Sequence, residues 1–387
     1  MKDDGFVTSK IRDIKPSGIR RFFDLINEMK DAISLSIGEP DFDTPWSIRE
    51  EGIFTLERGK THYSPNAGFR ELREEITRYM ERRFGLSYSP DEVLVTVGGS
   101  EAIDLVLRTV IEPGDEVIIP EPSFVAYNPC VLLAGGVPVD IPLRAENDFR
   151  LTVKELAGAI TERTKALILP YPCNPTGAIM GYEDLKSIVD LLKDKDILVI
   201  SDEIYAELTY GRIHVSIASF DCMKDKTLVI NGFSKAYAMT GWRLGYACGP
   251  LPLISAMMKV HQYVIMSAPT IAQYAGIEAL KNCDREIVKM NAEYQRRKRV
   301  IVDGLNDAGL DCFEPYGAFY CFPSVKRTGL SSEDFAEKLL REERVAVVPG
   351  NAFGASGEGY VRVCYAASME NIFEALKRIN RFMEITQ

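Results

Sequence analysis

From about residue 90, short runs of β-branched and aliphatic residues alternate with longer amphipathic stretches, and this alternation most narrows the folds open to the chain. A continuous apolar run fits a strand covered on both faces, and each longer stretch fits a crossover helix. The pattern predicts an α/β fold built on parallel strands. The runs read as strands are Val93–Val97, Glu116–Ile119, Ala166–Leu169, Ile197–Ser201, Thr227–Ile230 and Leu244–Cys248. Most lead into Gly, Pro, Asp or Asn, which places turns at the carboxyl ends of the strands, where open parallel sheets bind ligands. After Pro269 the pattern is helical to about Leu310, then returns to strands near Ala318–Phe322, Val345–Val348 and Tyr360–Cys364 before a last helix from Met369. This describes a second, smaller α+β domain. At 387 residues the chain exceeds the size at which one core keeps growing. Two domains are expected, one over 46–285 and one formed by 1–45 with 286–387.

Charge and cysteines limit the partners. A formal charge of −10 argues against a nucleic-acid surface. The exception, Arg296-Arg297-Lys298-Arg299, falls in a helical stretch from Asp284 to Ala308 and reads as a solvated helix face. Eight scattered cysteines form no CxxC pair and no metal-ligand spacing with histidine, so reduced thiols and no structural metal are expected. No segment reaches the apolar length of a bilayer span, and the start Met-Lys-Asp-Asp-Gly lacks the features of a secretory signal. The expectation is a cytoplasmic protein.

Four local patterns carry chemistry. Lys235 follows a strand in Asn231-Gly-Phe-Ser-Lys-Ala-Tyr-Ala-Met-Thr-Gly-Trp-Arg243, among small and apolar neighbours that disfavour a charged ammonium and favour the neutral amine that forms a Schiff base. A solvated surface lysine is the competing reading of Lys235 alone. Asp202 ends the run Asp196-Ile-Leu-Val-Ile-Ser-Asp, with Glu203 and Tyr205 after it. A buried carboxylate there needs a cation or several donors; a helix cap is the alternative. Asn174, in Tyr171-Pro-Cys-Asn-Pro-Thr-Gly177, projects an amide from a turn set by Pro and Gly, or simply builds that turn. In Val97-Gly-Gly-Ser-Glu-Ala-Ile103 a strand runs through small residues into a helix, which offers backbone N–H groups to an anion. It matches neither the P-loop nor G-x-G-x-x-G.

Taken in order, these patterns resemble the class I aminotransferases among the fold type I pyridoxal-phosphate enzymes, in wording closest to the archaeal-type aspartate and aromatic aminotransferases. The resemblance runs through Ser17-Gly-Ile-Arg20, Ser36-Ile-Gly-Glu-Pro-Asp-Phe-Asp-Thr-Pro45, His62-Tyr-Ser-Pro-Asn-Ala-Gly68, Pro315-Tyr-Gly-Ala-Phe-Tyr320 and Tyr360-Val-Arg-Val-Cys-Tyr-Ala366. Ser234-Lys-Ala-Tyr-Ala-Met-Thr-Gly-Trp-Arg-Leu-Gly245 is its most specific block. It implies a large domain with a mostly parallel seven-stranded sheet and pyridoxal 5′-phosphate as cofactor. It also implies that an amino group moves between an L-amino acid, aspartate or aromatic with glutamate as common partner, and a 2-oxo acid.

By the same resemblance Lys235 carries the cofactor and removes the substrate α-proton. Asp202 pairs with the pyridine nitrogen, and Asn174 with Tyr205 donates to the phenolic oxygen. Gly99, Ser100 and the backbone of Glu101 hold the phosphate with Ser234 and Arg243, and Phe124 stacks on the ring. Arg362 forks onto the substrate α-carboxylate beside Gly38. Tyr63 reaches the phosphate of a neighbouring subunit, which implies a homodimer. A hydroxyl residue often stands three positions before the lysine in this family; Gly232 stands there instead.

Another reaction on the same scaffold, such as C–S lysis, is the nearest rival, because fold and cofactor do not set reaction type. A non-catalytic ligand-sensing module ranks far behind, since such regulators carry an added DNA-binding domain and 16 residues precede Ser17. A nicotinamide dehydrogenase would need a G-x-G-x-x-G turn that no strand end supplies.

Overall fold

A computed structural model describes residues 6–14, 29 and 31–386 of the chain. Ser17-Gly-Ile-Arg20 lies outside the described residues. The apolar runs build a seven-stranded sheet in the order Val93–Thr96, Gly245–Cys248, Thr227–Gly232, Leu198–Asp202, Thr164–Leu169, Glu116–Glu121, Val137–Pro142. The strand Gly245–Cys248 runs antiparallel to both neighbours, and the other contacts in the sheet are parallel. Six of the strands were expected from their apolar runs, including Val93–Thr96, which forms one edge of the sheet but is fully buried. Val137–Pro142 was not, because its residues are largely exposed and two are proline. Proline cannot donate to a ladder, so such a strand suits a sheet edge.

The strand end that matters most is shaped by glycine. Gly232 pairs directly with Gly245, and a Cβ on Gly232 would lie 2.9 Å from the Gly245 Cα. A Cβ on Gly245 would in turn lie 2.6 Å from the Gly98 carbonyl carbon. Three backbone layers therefore meet without side chains, and the loop opening the helix Gly98–Val110 settles onto the strand ends.

Residues after about 285 supply most of a second core, which Tyr205, Leu208 and Tyr210 also join, while Phe322, Val348 and Phe353 pack with Ile118 and Leu167 of the large sheet. The helix Asp284–Asp307 buries Ile287 against the core of Phe233, Tyr246 and Leu280, whereas Met290, Tyr294 and Ile301 join the core of Phe319, Phe335 and Phe382. Two small sheets complete this part. Ile33–Ser34 pairs in parallel with Val345–Ala346, and Val348–Pro349, Val361–Cys364 and Tyr320–Cys321 form an antiparallel set. The run Val345–Val348, expected as one strand, is divided between those two sheets.

The basic cluster needs correction. Arg296 and Arg299 are exposed, but Arg297 and Lys298 are only 6% exposed. Helical spacing turns them toward the core face that carries Tyr294 and Ile301. Arg297 donates to Asp41 at 2.7 Å and to Glu293 at 2.9 Å, and Lys298 donates to Glu314 and the Pro315 carbonyl. Arg297 ties the long helix to the segment that leads from Gly38, and Lys298 ties it to the segment that leads into Tyr320. Among the described residues no helix is long and apolar enough to cross a membrane, and all eight cysteines are free.

Candidate active site

The carboxyl ends of the parallel strands open into a cavity of about 320 Å³. Lys235 enters it just past Thr227–Gly232 and is held there, its Nζ donating to the Gly38 carbonyl at 2.7 Å. Burial pushes its pKa down to about 8 from 10.5, so the neutral amine is a far larger fraction near physiological pH than for a solvated lysine, though still the minority. The neutral amine is the state a nucleophilic or proton-accepting lysine requires.

Asp202, the last residue of Leu198–Asp202, lies on the same wall. Its carboxylate accepts from the Tyr127 hydroxyl at 2.7 Å and from the Ile204 amide at 3.2 Å. Burial raises its pKa despite those donors; a cation beside it would reverse that direction. The neighbouring carboxylate of Glu203 is engaged elsewhere, accepting from Ser201 and Ser216 and bonding His214.

Opposite stands an anion cradle. The helix Gly98–Val110 points its free amides at the cavity through Gly99 and Ser100. Gly98 has φ +76, and a Cβ on it would lie 2.5 Å from Arg243 Nη2. Only glycine lets that guanidinium close against the loop. Glu101 does not line the cavity. Its carboxylate caps the helix start by accepting from the Val97 amide and bonds His261 Nδ1 at 2.6 Å. Ser234 lines the cradle beside Lys235. At Gly232 the close approach to Gly245 leaves no room for a hydroxyl side chain.

Arg362, only 3% exposed, is carried in by Val361–Cys364. Its Nη1 donates to Asn174 Oδ1 at 2.9 Å and its Nη2 to the Ser36 carbonyl at 2.5 Å, so each nitrogen keeps a second N–H. The guanidinium sits between the rings of Tyr320 and Phe353, at 4.6 and 4.8 Å from their centres. Because Asn174 accepts from Arg362, its amide hydrogens remain free to donate. The hydroxyls of Tyr205 and Tyr320 meet at 2.8 Å, and Phe124 stands edge to face with Tyr127.

The cavity thus gathers Lys235, Asp202, Asn174, Tyr205, Phe124, Gly99, Ser100, Ser234, Arg243, Gly38 and Arg362. Tyr63 is apart from them. It is 83% exposed and lines a separate cavity with Ile265–Ile271. Two residues with evident roles in this geometry went unassigned in the sequence, Tyr127 and Tyr320. Tyr320 ends the motif Pro315-Tyr-Gly-Ala-Phe-Tyr320 and Tyr127 stands three residues after Phe124, but only the folded chain shows their partners.

The depressed Lys235 pKa has a measurable consequence. In the cofactor-free protein, the folded state disfavours the charged amine, so a stability penalty is present in full below about pH 8 and fades as pH rises toward 10.5. Lys235→Met removes that penalty. The variant should be more stable than its cofactor-free parent near neutrality, and the difference should close with rising pH. Thermal unfolding of both across that range is the check. A difference that stayed constant with pH would mean that the lysine is not desolvated as described.

A phosphorylated pyridine aldehyde fits these residues: its aldehyde can meet Lys235, its ring nitrogen Asp202, and its phosphate the cradle that Gly98 and Gly245 keep open. This sheet with such a site at its strand ends is the arrangement of the fold type I pyridoxal-phosphate enzymes. The family model "Aminotransferase class I and II" matches residues 30–379. The aspartate aminotransferase of Pyrococcus abyssi (strain GE5 / Orsay) is 46% identical over 374 residues, 96% of each chain. Aromatic-amino-acid aminotransferase 2 of Thermococcus litoralis is 42% identical and covers 98% of each. The crystal structure of the aromatic aminotransferase from Pyrococcus horikoshii OT3 superposes with a TM-score of 0.90 at 45% identity, covering 94% of this chain and 99% of that one. The chain belongs to the class I and II aminotransferases. It is a pyridoxal-phosphate enzyme that moves an amino group between an amino acid and a 2-oxo acid.

Proposed function

We propose that the donors are aspartate and aromatic L-amino acids, with glutamate and its 2-oxo acid as the common partner. The observation that carries this reading is the placement of Gly38, whose carbonyl holds Lys235 and on which a Cβ would lie 3.5 Å from Arg362 Nη1. One backbone residue sets the distance between an amine acceptor and a carboxylate fork, and that distance selects α-amino acids. The relatives named for aspartate and for aromatic amino acids support both donor types. Among the described residues the cations lining the cavity are Lys235, Arg243 and Arg362. None of them is left for a distal carboxylate once phosphate and α-carboxylate are held, which favours a tolerant side-chain site. Arg20, in the motif Ser17-Gly-Ile-Arg20, lies outside the described residues.

In this reading the bound cofactor supplies an electron sink for the charge left on the substrate α-carbon. Arg243, Ser234, Ser100, Gly99 and the backbone of Glu101 anchor its phosphate. Phe124 covers the ring face, Asp202 keeps a proton on the ring nitrogen, and Asn174 with Tyr205 donates to the phenolic oxygen. Arg362 orients the substrate by its α-carboxylate. The Lys235 amine would take the α-proton and deliver it on the far side of the transferred nitrogen, not back to the α-carbon. A cytoplasmic homodimer in which Tyr63 reaches the partner's site completes the proposal. Its support is the exposure of Tyr63 away from its own cavity, together with eight unpaired cysteines.

Arg362→Lys tests the reading. A point charge still attracts the α-carboxylate but cannot make two parallel hydrogen bonds. The expected loss is about 10²-fold in kcat/KM for every donor in a panel of acidic, aromatic and aliphatic amino acids, since orientation fails with binding. If only acidic donors suffered, Arg362 would be reading the side chain, and the placement of the α-carboxylate would be wrong.

A further inference from the structure

Tyr320 occupies a junction in the cavity. Its hydroxyl lies 2.8 Å from that of Tyr205, and both residues are buried. Its oxygen also presses on Gly38, where a Cβ would come within 2.7 Å. Its ring supports the Arg362 guanidinium. One side chain therefore touches the backbone that holds the lysine, the carboxylate fork, and Tyr205.

In a pair of hydroxyls one proton lies between the oxygens, so one group donates and the other accepts. Were Tyr205 the donor, its only proton would be committed to Tyr320 and could not face the cavity. Burial raises the pKa of both phenols, and the Arg362 cation, 4.6 Å from the centre of the Tyr320 ring, opposes that rise. Tyr320 is the readier donor.

We propose that Tyr320 is a positioning residue for amino transfer: it donates to Tyr205, so that Tyr205 turns its own proton toward the phenolic oxygen of the cofactor. The inference rests on the role given to Tyr205 above. Hydrogen bonds in series strengthen one another in a site shielded from water. A strong donor at the phenolic oxygen favours the lysine-bound cofactor that has lost its linkage proton, because that oxygen then has no internal N–H to satisfy it. Tyr320 thereby lowers the pH at which the linkage titrates.

Tyr320→Phe removes the hydroxyl and keeps the ring beneath Arg362. In the holoenzyme, the pH midpoint of the visible absorbance change should rise by about half to one unit, the scale of one lost neutral hydrogen bond. KM for amino acids should stay within about twofold, since the fork is still supported. Tyr205→Phe should raise the midpoint further, and the double variant should equal Tyr205→Phe alone, because the Tyr320 hydroxyl acts through Tyr205. An unchanged midpoint in Tyr320→Phe, or additive shifts in the double variant, overturns the proposal. If Tyr205→Phe itself leaves the midpoint where it was, the assignment of Tyr205 fails and the proposal falls with it.

Discussion

Lys235→Ala should cost roughly 10⁴-fold or more in turnover, the upper range for loss of a general base, and should also remove the visible absorbance of lysine-bound cofactor. The expectation follows from position. Its Nζ is fixed on the Gly38 carbonyl, and its charge is disfavoured by burial. Among the described residues no other lysine lines the cavity, so none of them offers a second amine to bond the cofactor or receive the α-proton. The variant should still bind cofactor through the cradle at Gly99, Ser100 and Arg243, though loosely enough to be lost on dialysis. Borohydride reduction of the parent followed by peptide mapping gives the complementary measurement. Label on any lysine but Lys235 would falsify the assignment.

Why Lys235 was legible in the sequence, and Tyr320 was not, has a physical basis. A buried lysine after a strand needs small neighbours close at hand, so its environment is written within a few residues of it. The same holds for Asp202 at its strand end and Asn174 in its turn. Tyr127 acts on Asp202 across 75 residues, and Tyr320 meets Tyr205 across 115; such pairings exist only after the sheet has closed. The fold divides in the same way. Strands covered on both faces carry continuous apolar runs, the buried edge strand Val93–Thr96 among them, whereas the edge strand Val137–Pro142 is largely exposed and has no such signature. Arg297 and Lys298 follow the same logic. Nothing local marks them as buried, because their partners Asp41 and Glu314 arrive from other elements.

Asp202→Asn should bind cofactor and yet remove the substrate α-proton about 10³-fold more slowly, roughly 4 kcal/mol of barrier. The amide nearly matches the carboxylate in shape, and its oxygen can still accept from Tyr127 or Ile204, so the strand end should keep its geometry. What is lost is the charge. In the protein alone, burial leaves this carboxylate raised and short of a cation, while Glu203 beside it is already satisfied by Ser201, Ser216 and His214. In the proposed reading, a proton on the ring nitrogen would be the cation that Asp202 lacks, and the carboxylate would keep it there. With an amide in its place the ring loses that proton, and the charge developing at the substrate α-carbon has nowhere favourable to spread. Single-turnover absorbance, with an α-deuterated donor to identify the proton-removal step, measures the effect directly. Cofactor binding preserved with a slowed, isotope-sensitive step is the expected pattern; a rate near that of the parent would mean that Asp202 shapes the strand end without governing the ring.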